Sequence, residues 1–196
     1  MLVLASASPR RQELLRNAGI PFVVQATDIP ELPREGENPR ACAERLAREK
    51  AVAVFRQRPD DFILGADTIV TVDGQILGKP RDVADAARML GLLSGRTHQV
   101  TTGVCLLGPQ LGTADRERRT GFEDTRSETT LVTMDPLSDE DIRSYIATGE
   151  PMDKAGAYAI QGIASRWITR IEGDYFNVVG LPVALVCRML REHGVH

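Results

Sequence analysis

Short apolar runs alternate along the chain with segments of helical periodicity, and this alternation predicts a fold of both strands and helices. Residues 2–5 are an apolar run long enough for a buried strand. Residues 62–67 predict another, which residues 69–72 extend. Because strands and helices alternate, we expect an α/β or α+β fold with a mixed sheet. Further strands are predicted at residues 22–26, 75–77, 99–107, 129–134, 158–160, 167–171 and 177–179.

Capping residues mark the ends of the predicted helices. Ser8 followed by Pro9 predicts the start of a first helix that ends at Gly19, and Asn38 with Pro39 predicts the start of a second. The same signals predict helices over residues 82–93, 138–149 and 182–193, with Asp141 completing a capping box at Ser138, and a hairpin turn at Asp73-Gly74.

Composition and charge bound the class of protein. The chain has 196 residues, of which 42% are hydrophobic and 26% are charged, and this suits one domain spanning residues 1–196, with two lobes around a shared sheet. A net charge of −3 gives no electrostatic footprint for DNA or RNA, so we expect no nucleic-acid partner. Residues 108–126 carry charges of both signs, which favours a solvated loop over a nucleic-acid-binding arm.

Cysteine and histidine usage narrows the chemistry further. Cys42, Cys105 and Cys187 lie far apart within apolar segments, which favours a reducing compartment over a disulfide framework. The N-terminus lacks the pattern of a signal peptide, and no run approaches the roughly 20 apolar residues that a membrane span needs. We therefore expect a cytoplasmic protein with no membrane partner. No His/Cys pair has zinc-ligand spacing. The candidate catalytic and binding groups are therefore carboxylates, lysines and arginines, together with a hard metal ion.

An anion-binding pattern occurs where the first strand meets the first helix. Ser6, Ser8, Arg10 and Arg11 bring two hydroxyls and two guanidiniums to a helix N-terminus, where free backbone N–H groups and the helix dipole attract anions. Arginine suits bidentate phosphate contacts, and positive side chains in the first turn oppose the dipole unless an anion arrives. A capped helix with surface arginines is the alternative that these residues alone leave open.

Four further positions have both a chemical and an ordinary structural interpretation. Asp67 ends an apolar run, where a carboxylate needs a partner, either in metal binding or catalysis or among loop N–H groups. Lys79 beside Pro80 could aim at a phosphate, although a lysine in a turn is more often simply exposed to solvent. Lys50, at the polar edge of the second helix, is likewise most often solvated. Gln161 is expected at a strand end, where its amide suits either a base edge or the backbone.

Taken together and in this order, these features resemble the Maf family of nucleotide pyrophosphatases, from Leu4 to about Val186. Residues 108–126, a longer loop than the family's, and residues 163–166, which replace a Gly-rich stretch, depart from the family pattern. The motifs that carry the resemblance are Ala5-Ser-Ala-Ser-Pro-Arg-Arg11, Leu64-Gly-Ala-Asp-Thr68, Ile76-Leu-Gly-Lys-Pro80, Gly149-Glu-Pro-Met-Asp-Lys-Ala-Gly156, Tyr158-Ala-Ile-Gln-Gly162 and Asn177-Val-Val-Gly-Leu-Pro182.

The resemblance implies an elongated mixed sheet with flanking helices and two lobes around a deep cleft, akin to the inosine triphosphate pyrophosphatases. Such proteins split nucleoside triphosphates between the α- and β-phosphates, and many are homodimers. Asp67 and the more weakly matched Glu31 are then catalytic and would hold Mg²⁺ or Mn²⁺, whereas Lys50 and Lys79 match the family's lysines. The metal would lower the pKa of a bound water.

The resemblance also implies a base preference. Arg11, Thr68 and Gln161 together look like the branch that acts on dTTP and UTP, and the branch preferring 7-methyl-GTP carries an acidic residue in place of Gln161. Ser8 and Arg10 complete the expected substrate-binding set. Two alternatives stay open: a pyrophosphatase with another base preference, and a non-catalytic nucleotide-binding regulator of cell division acting through residues 108–126.

Overall fold

The computed structural model describes residues 1–109 and 121–195 and shows a mixed α/β fold. Its strands are β1 (Leu2–Leu4), β2 (Val23–Val24), β3 (Phe62–Val72), β4 (Gln75–Leu77), β5 (Thr97–Gly108), β6 (Phe122–Met134) and β7 (Ile168–Glu172). Its helices are α1 (Pro9–Asn17), α2 (Pro39–Phe55), α3 (Val83–Leu93), α4 (Asp139–Ala147), α5 (Tyr175–Val179) and α6 (Val183–Glu192), with 3-10 helices at Glu150–Asp153, Ala155–Ala157 and Ile163–Trp167.

The strands form one sheet in the order β2-β1-β3-β5-β6-β7, and β4 pairs with β3. β1 is parallel to both of its neighbours, with Val3 opposite Val23 on one side and Ile63 on the other. The pairs β3–β4 and β6–β7 are antiparallel, and the turn between β3 and β4 is the predicted Asp73-Gly74, both with positive φ. The predicted mixed sheet with flanking helices is confirmed.

The chain divides into two compact units. The first contains Met1–Asp67, Thr102–Glu128 and Gly180–His196, and the second contains Thr68–Thr101 and Thr129–Val179. In the second unit, α3 packs against α4 and against the two 3-10 helices that come after α4, Glu150–Asp153 and Ala155–Ala157. The core of the first unit is built from Val3, Ala5, Ala47, Ala51, Val54, Ile63, Cys105 and Leu107.

The predicted helix starts are confirmed at the level of individual hydrogen bonds. The Ser8 side chain accepts from Arg11 N, and the Asn38 side chain accepts from two backbone N–H groups of the first turn of α2. Ser138 and Asp141 form both bonds of the predicted capping box at α4. In the described ranges, no helix is both long enough and apolar enough to cross a membrane.

The loop predicted over residues 108–126 is wrong at its C-terminal end, because β6 begins at Phe122. Charge pairing explains how this polar segment joins the sheet: Glu123 accepts from Arg48 at 2.6 Å, and Asp124 binds Arg126 through both carboxylate oxygens. Residues 110–120 of that predicted loop lie outside the described residues.

Two predicted strands in the second unit are also wrong. Residues 177–179 belong to α5, where Asp174 accepts from the backbone N–H groups of residues 176 and 177 and the buried Asn177 side chain donates to Val100 O. Residues 158–160 are irregular chain. Tyr158 is buried there, with its hydroxyl bonded to His98 Nε2 at 2.8 Å, and the backbone N–H of Ala159 donates to Tyr145 Oη at 3.2 Å and not to a neighbouring strand.

Candidate active site

The junction between β1 and α1 places the predicted serines and arginines together. Ser8 caps α1 and Pro9 occupies its first turn, as the sequence predicts. Ser6 is buried, and its Oγ accepts from Ser8 N at 3.3 Å. Arg10 is half-buried on the first turn of the helix. This junction therefore places serine hydroxyls and an arginine next to the first turn of a capped helix, which is the arrangement of an anion site at a helix N-terminus.

Arg11 is buried, with only 8% of its surface exposed, which contradicts the alternative of a surface arginine. Its Nε donates to Gly180 O at 2.8 Å and its Nη1 donates to Ser6 Oγ at 3.1 Å, so the guanidinium is fixed in place. Burial lowers the pKa of Arg11, and the charges of Asp67 and Glu31 act in the opposite direction. The guanidinium thus lies within electrostatic reach of both predicted catalytic carboxylates.

Lys50 joins the two carboxylates. Its Nζ donates to Asp67 Oδ1 and to Glu31 Oε1, each at 2.5 Å. The side chains of Lys50 and Asp67 are 7% and 8% exposed, whereas Glu31 is 34% exposed. The interpretation of Lys50 as a solvated helix residue is wrong, because the residue lies on the buried face of α2. An ammonium is tolerated there because both of its partners are charged and bonded to it.

Two glycines bring α2 close enough to the sheet for this contact. A Cβ on Gly65 of β3 would lie 2.1 Å from Ala47 O and 2.9 Å from Ala51 Cβ. A Cβ on Gly103 of β5 would lie 2.3 Å from Ala43 O. Because no side chain separates helix from sheet at these points, Lys50 reaches Asp67, two residues beyond Gly65 on the same strand.

The loop that carries Glu31 is held against α2 by Arg45. The guanidinium donates to both carboxylate oxygens of Glu37, at 2.6 and 2.7 Å, and to Leu32 O at 3.1 Å. Hydrogen bonds from Arg45 lower the pKa of Glu37 to about 2. This anchoring fixes the segment next to Glu31 and so explains how an irregular loop can supply a carboxylate to a buried cluster.

The remaining predicted site residues belong to the second unit. Thr68 is half-buried on β3, and Lys79 is exposed in the chain that follows β4. Gln161 is exposed in a turn before the 3-10 helix Ile163–Trp167, so its predicted place at a strand end is wrong. The structure brings Arg11, Lys50, Glu31 and Asp67 together in the first unit. Within the second unit it places Thr68, Lys79 and Gln161 on three separate segments.

The carboxylates Asp67 and Glu31 are the candidate metal ligands. The described residues contain no group of three or more His, Cys, Asp or Glu side chains suited to a metal. Mg²⁺ is usually held by only one or two carboxylates, with waters and substrate phosphates completing its coordination. The two carboxylates therefore fit a magnesium-type ion whose other ligands would be waters and the oxygens of a bound phosphate chain.

Two positions that shape the site, Gly65 and Glu150, were not singled out from the sequence as site residues. Gly65 permits the contact of α2 with β3. Glu150 contacts the turn that carries Gln161. Each lies inside one of the quoted motifs, so the motifs were the available signal, but the role of each depends on a contact between segments distant in sequence.

Comparison with known sequences gives consistent matches over nearly the whole chain. The model of a family described as "Maf-like protein" matches residues 1–193. A dTTP/UTP pyrophosphatase from Koribacter versatilis is 58% identical over 99% of this chain and 95% of its own length. Relatives of the same name from Symbiobacterium thermophilum and Geobacter sulfurreducens are each 52% identical over 98% of this chain and over 94% and 96% of their own lengths. A solved nucleoside-triphosphatase (dITP/XTP pyrophosphatase) from Mycobacterium abscessus has a TM-score of 0.41 at 14% identity, covering 69% of this chain and 75% of its own.

Proposed function

The chain belongs to the Maf-like protein family, and from this premise we propose that it hydrolyses dTTP and UTP to the monophosphate and pyrophosphate. The observation that carries the proposal is the buried cluster in which Lys50 Nζ bridges Asp67 and Glu31, with the charge of Arg11 close by. Relatives named dTTP/UTP pyrophosphatase, at 58% and 52% identity, support the same pair of substrates.

Charge complementarity supports a triphosphate as the ligand. Lys50 and Arg11 balance the two carboxylates of the cluster, so the cluster alone has little net attraction for an anion. Arg10 and Lys79 are more exposed than those two cations, and we assign them to the phosphate chain. Ser8 and the first turn of α1 would receive phosphate oxygens at the positive end of the helix dipole.

A divalent cation, Mg²⁺ or Mn²⁺, is part of this proposal. A triphosphate entering beside Asp67 and Glu31 would be repelled by them, and a cation shared between carboxylate and phosphate oxygens removes that repulsion. Asp67 and Glu31 each have a second oxygen besides the one that Lys50 contacts. When bound, the metal supplies a more acidic water and stabilises negative charge on phosphate oxygens.

The protein residues contribute position and charge to the reaction. A water oxygen attacks the α-phosphorus, the bond from that phosphorus to the α–β bridging oxygen breaks, and pyrophosphate leaves with the bonding electron pair. Asp67, held through Oδ1 by Lys50, orients the water and accepts its proton. Arg10, Arg11 and Lys79 stabilise the charge that grows on the departing pyrophosphate.

The direct contact with the base is assigned to Gln161, in the second unit. The exposed amide of Gln161 offers both a donor and acceptors, which match the neutral N3–H and O4 edge that thymine and uracil share. Thr68 and Arg11 complete the specificity set that the family resemblance implies. We further propose a cytoplasmic homodimer, whose assembly size-exclusion chromatography with light scattering would measure.

The proposal is tested by pyrophosphate release from dTTP, UTP, CTP, GTP, 7-methyl-GTP and ITP, with Mg²⁺ or Mn²⁺ and with EDTA. We expect turnover of dTTP and UTP above the other nucleotides, and its loss in EDTA. Turnover that prefers ITP or 7-methyl-GTP would move the chain to another base preference. A folded protein that binds nucleotides but releases no pyrophosphate would favour the regulator.

A further inference from the structure

A tyrosine and a glutamate hold the turn that carries Gln161 from both sides. Glu150 Oε1 accepts from Ile163 N at 3.1 Å, after Gln161, and also from Tyr145 Oη at 2.8 Å. Tyr145 Oη in turn accepts from Ala159 N at 3.2 Å, before Gln161. The backbone N–H groups two residues to either side of the glutamine therefore end on one side-chain pair.

The glutamate also packs directly against the backbone next to Gln161. A Cβ on Gly162 would lie 2.2 Å from Glu150 Oε1. Gly162 has φ −102°, which other residues adopt, so the glycine is required here for space and not for its conformation. The carboxylate thus occupies the volume that a side chain at residue 162 would fill, and it fixes where the turn passes.

The pair is itself fixed by its surroundings. Tyr145 is 1% exposed and its ring meets Trp167 edge-on at 5.5 Å. Burial, with the neighbouring Glu150 charge, raises the pKa of the Tyr145 phenol, so the phenol stays a neutral donor. Glu150 N donates to Thr148 Oγ1 at 3.2 Å, and Lys154 Nζ donates to Glu150 O at 3.3 Å. The turn is therefore held by a framework that is ordered on both sides.

We propose that Glu150, together with Tyr145, is a positioning residue that sets the base preference of the site by fixing the Gln161 turn. The proposal rests on the function proposed above, in which Gln161 reads the base. Gln161 is exposed in a turn, so without these side-chain bonds its amide would have to be ordered each time a base binds. A turn that is ordered in advance removes this entropy cost when a base with matching donors and acceptors binds. A base whose edge does not match leaves the Gln161 amide without hydrogen bonds.

Three substitutions separate the parts of this framework. Tyr145→Phe removes one hydroxyl, Glu150→Ala removes the acceptor, and Glu150→Gln keeps an oxygen that can still accept from Ile163 N and from the phenol. Glu140→Ala, on the exposed surface of α4, is the matched control for losing a carboxylate. For each variant, kcat and KM are measured with dTTP, UTP, CTP and ITP, and amide hydrogen exchange is measured at Ala159 and Ile163.

We expect Glu150→Ala and Tyr145→Phe to lower the preference for dTTP over CTP and ITP by about tenfold, the factor that one net hydrogen bond confers. The loss should appear in KM for dTTP, with faster exchange at Ala159 and Ile163. Glu150→Gln should restore most of the preference relative to Glu150→Ala, and Glu140→Ala should change nothing. In the Gln161→Ala background, Glu150→Ala should have little further effect on preference, because both substitutions act through one turn.

An equal loss of activity on all nucleotides, or an effect of Glu150→Ala that simply adds to that of Gln161→Ala, would overturn the positioning role. So would slow exchange at both amides in Glu150→Ala. The two kinetic results can be obtained only if the wild-type chain is active, so they would overturn the positioning role without contradicting the proposed function. A wild-type chain that turns over neither dTTP nor UTP contradicts the proposed function itself. Slow exchange at Ala159 and Ile163 in Glu150→Ala would contradict the positioning role whether or not the chain is active.

Discussion

Replacing Gly65 by alanine is expected to separate Lys50 from Asp67, because Gly65 is where β3 touches α2. The new Cβ would lie 2.1 Å from Ala47 O and 2.9 Å from Ala51 Cβ, whereas ordinary contacts begin near 3.4 Å. Ala47 and Ala51 lie on either side of Lys50 along α2. The part of the helix that must retreat is therefore the part that carries the lysine.

The size of the effect follows from the distances. Relieving the contact requires a shift of about 1 Å, and a displacement of this size at an active site costs on the order of 100-fold in rate. The 2.5 Å contact between Lys50 Nζ and Asp67 Oδ1 would then exceed hydrogen-bond length. Overpacking a core also lowers the free energy of unfolding by about 1–3 kcal/mol. We expect both losses in Gly65→Ala.

The assay combines steady-state hydrolysis of dTTP with urea unfolding followed by circular dichroism. Gly91→Ala is the matched control, because Gly91 lies in α3 and, apart from the adjacent backbone of that helix, no described atom lies within 4 Å of its added Cβ. That control should gain about 0.5–1 kcal/mol of stability and keep normal turnover. Normal turnover and stability in Gly65→Ala would refute the reasoning, since β3 and α2 would then not be in close contact at Gly65.

Three further substitutions test other parts of the molecule. Asp67→Asn should keep the fold, as judged by an unchanged circular dichroism spectrum, and lower dTTP turnover by about two orders of magnitude or more; near-normal turnover would remove Asp67 from the chemistry. Gln161→Glu should shift preference away from dTTP, and an unchanged substrate profile would contradict base reading by Gln161. Burial lowers the pKa of His98 to about 4 from 6.5, so the folded state resists a proton that the unfolded state accepts. Stability present above pH 6.5 should therefore be lost as pH falls towards 4, by roughly 3 kcal/mol in urea titrations, and His98→Gln should flatten that dependence.

The sequence predicts the elements whose signals are local. Ser8, Asn38 and Ser138 each cap a helix as predicted, because a cap needs only a few neighbouring residues. The hairpin turn at Asp73-Gly74 is correct for the same reason. In contrast, residues 158–160 were predicted as a strand from a short apolar run, and such runs do not distinguish a strand from buried irregular chain.

Helical periodicity places Lys50 on the apolar face of α2, four residues after Leu46 and four before Val54, but it does not identify the partners that allow a lysine to be buried there. The lysine lies 19 residues from Glu31 and 17 residues from Asp67, and neither spacing reveals a contact. Because a lysine is usually exposed, its residue type favours the polar edge of the helix, and the position between Glu49 and Ala51 does not reveal the charged partners. Its burial depends on the absence of a side chain at Gly65, a feature of another element. The family motifs identified Lys50, but only the structure explains how it is held.

The proposed site residues of the first unit and those of the second unit are held by different kinds of interaction, and this predicts different tolerance to substitution. The Lys50–Asp67 contact depends on backbone packing at Gly65 and Gly103, where a single added Cβ meets a carbonyl oxygen and cannot be accommodated without moving a helix. The Gln161 turn depends instead on hydrogen bonds that Tyr145 and Glu150 accept from the backbone N–H groups of Ala159 and Ile163, and other acceptors can replace them. Substitutions in the turn should therefore alter base preference at little cost in stability, whereas substitutions at the two glycines should lower activity on every nucleotide together.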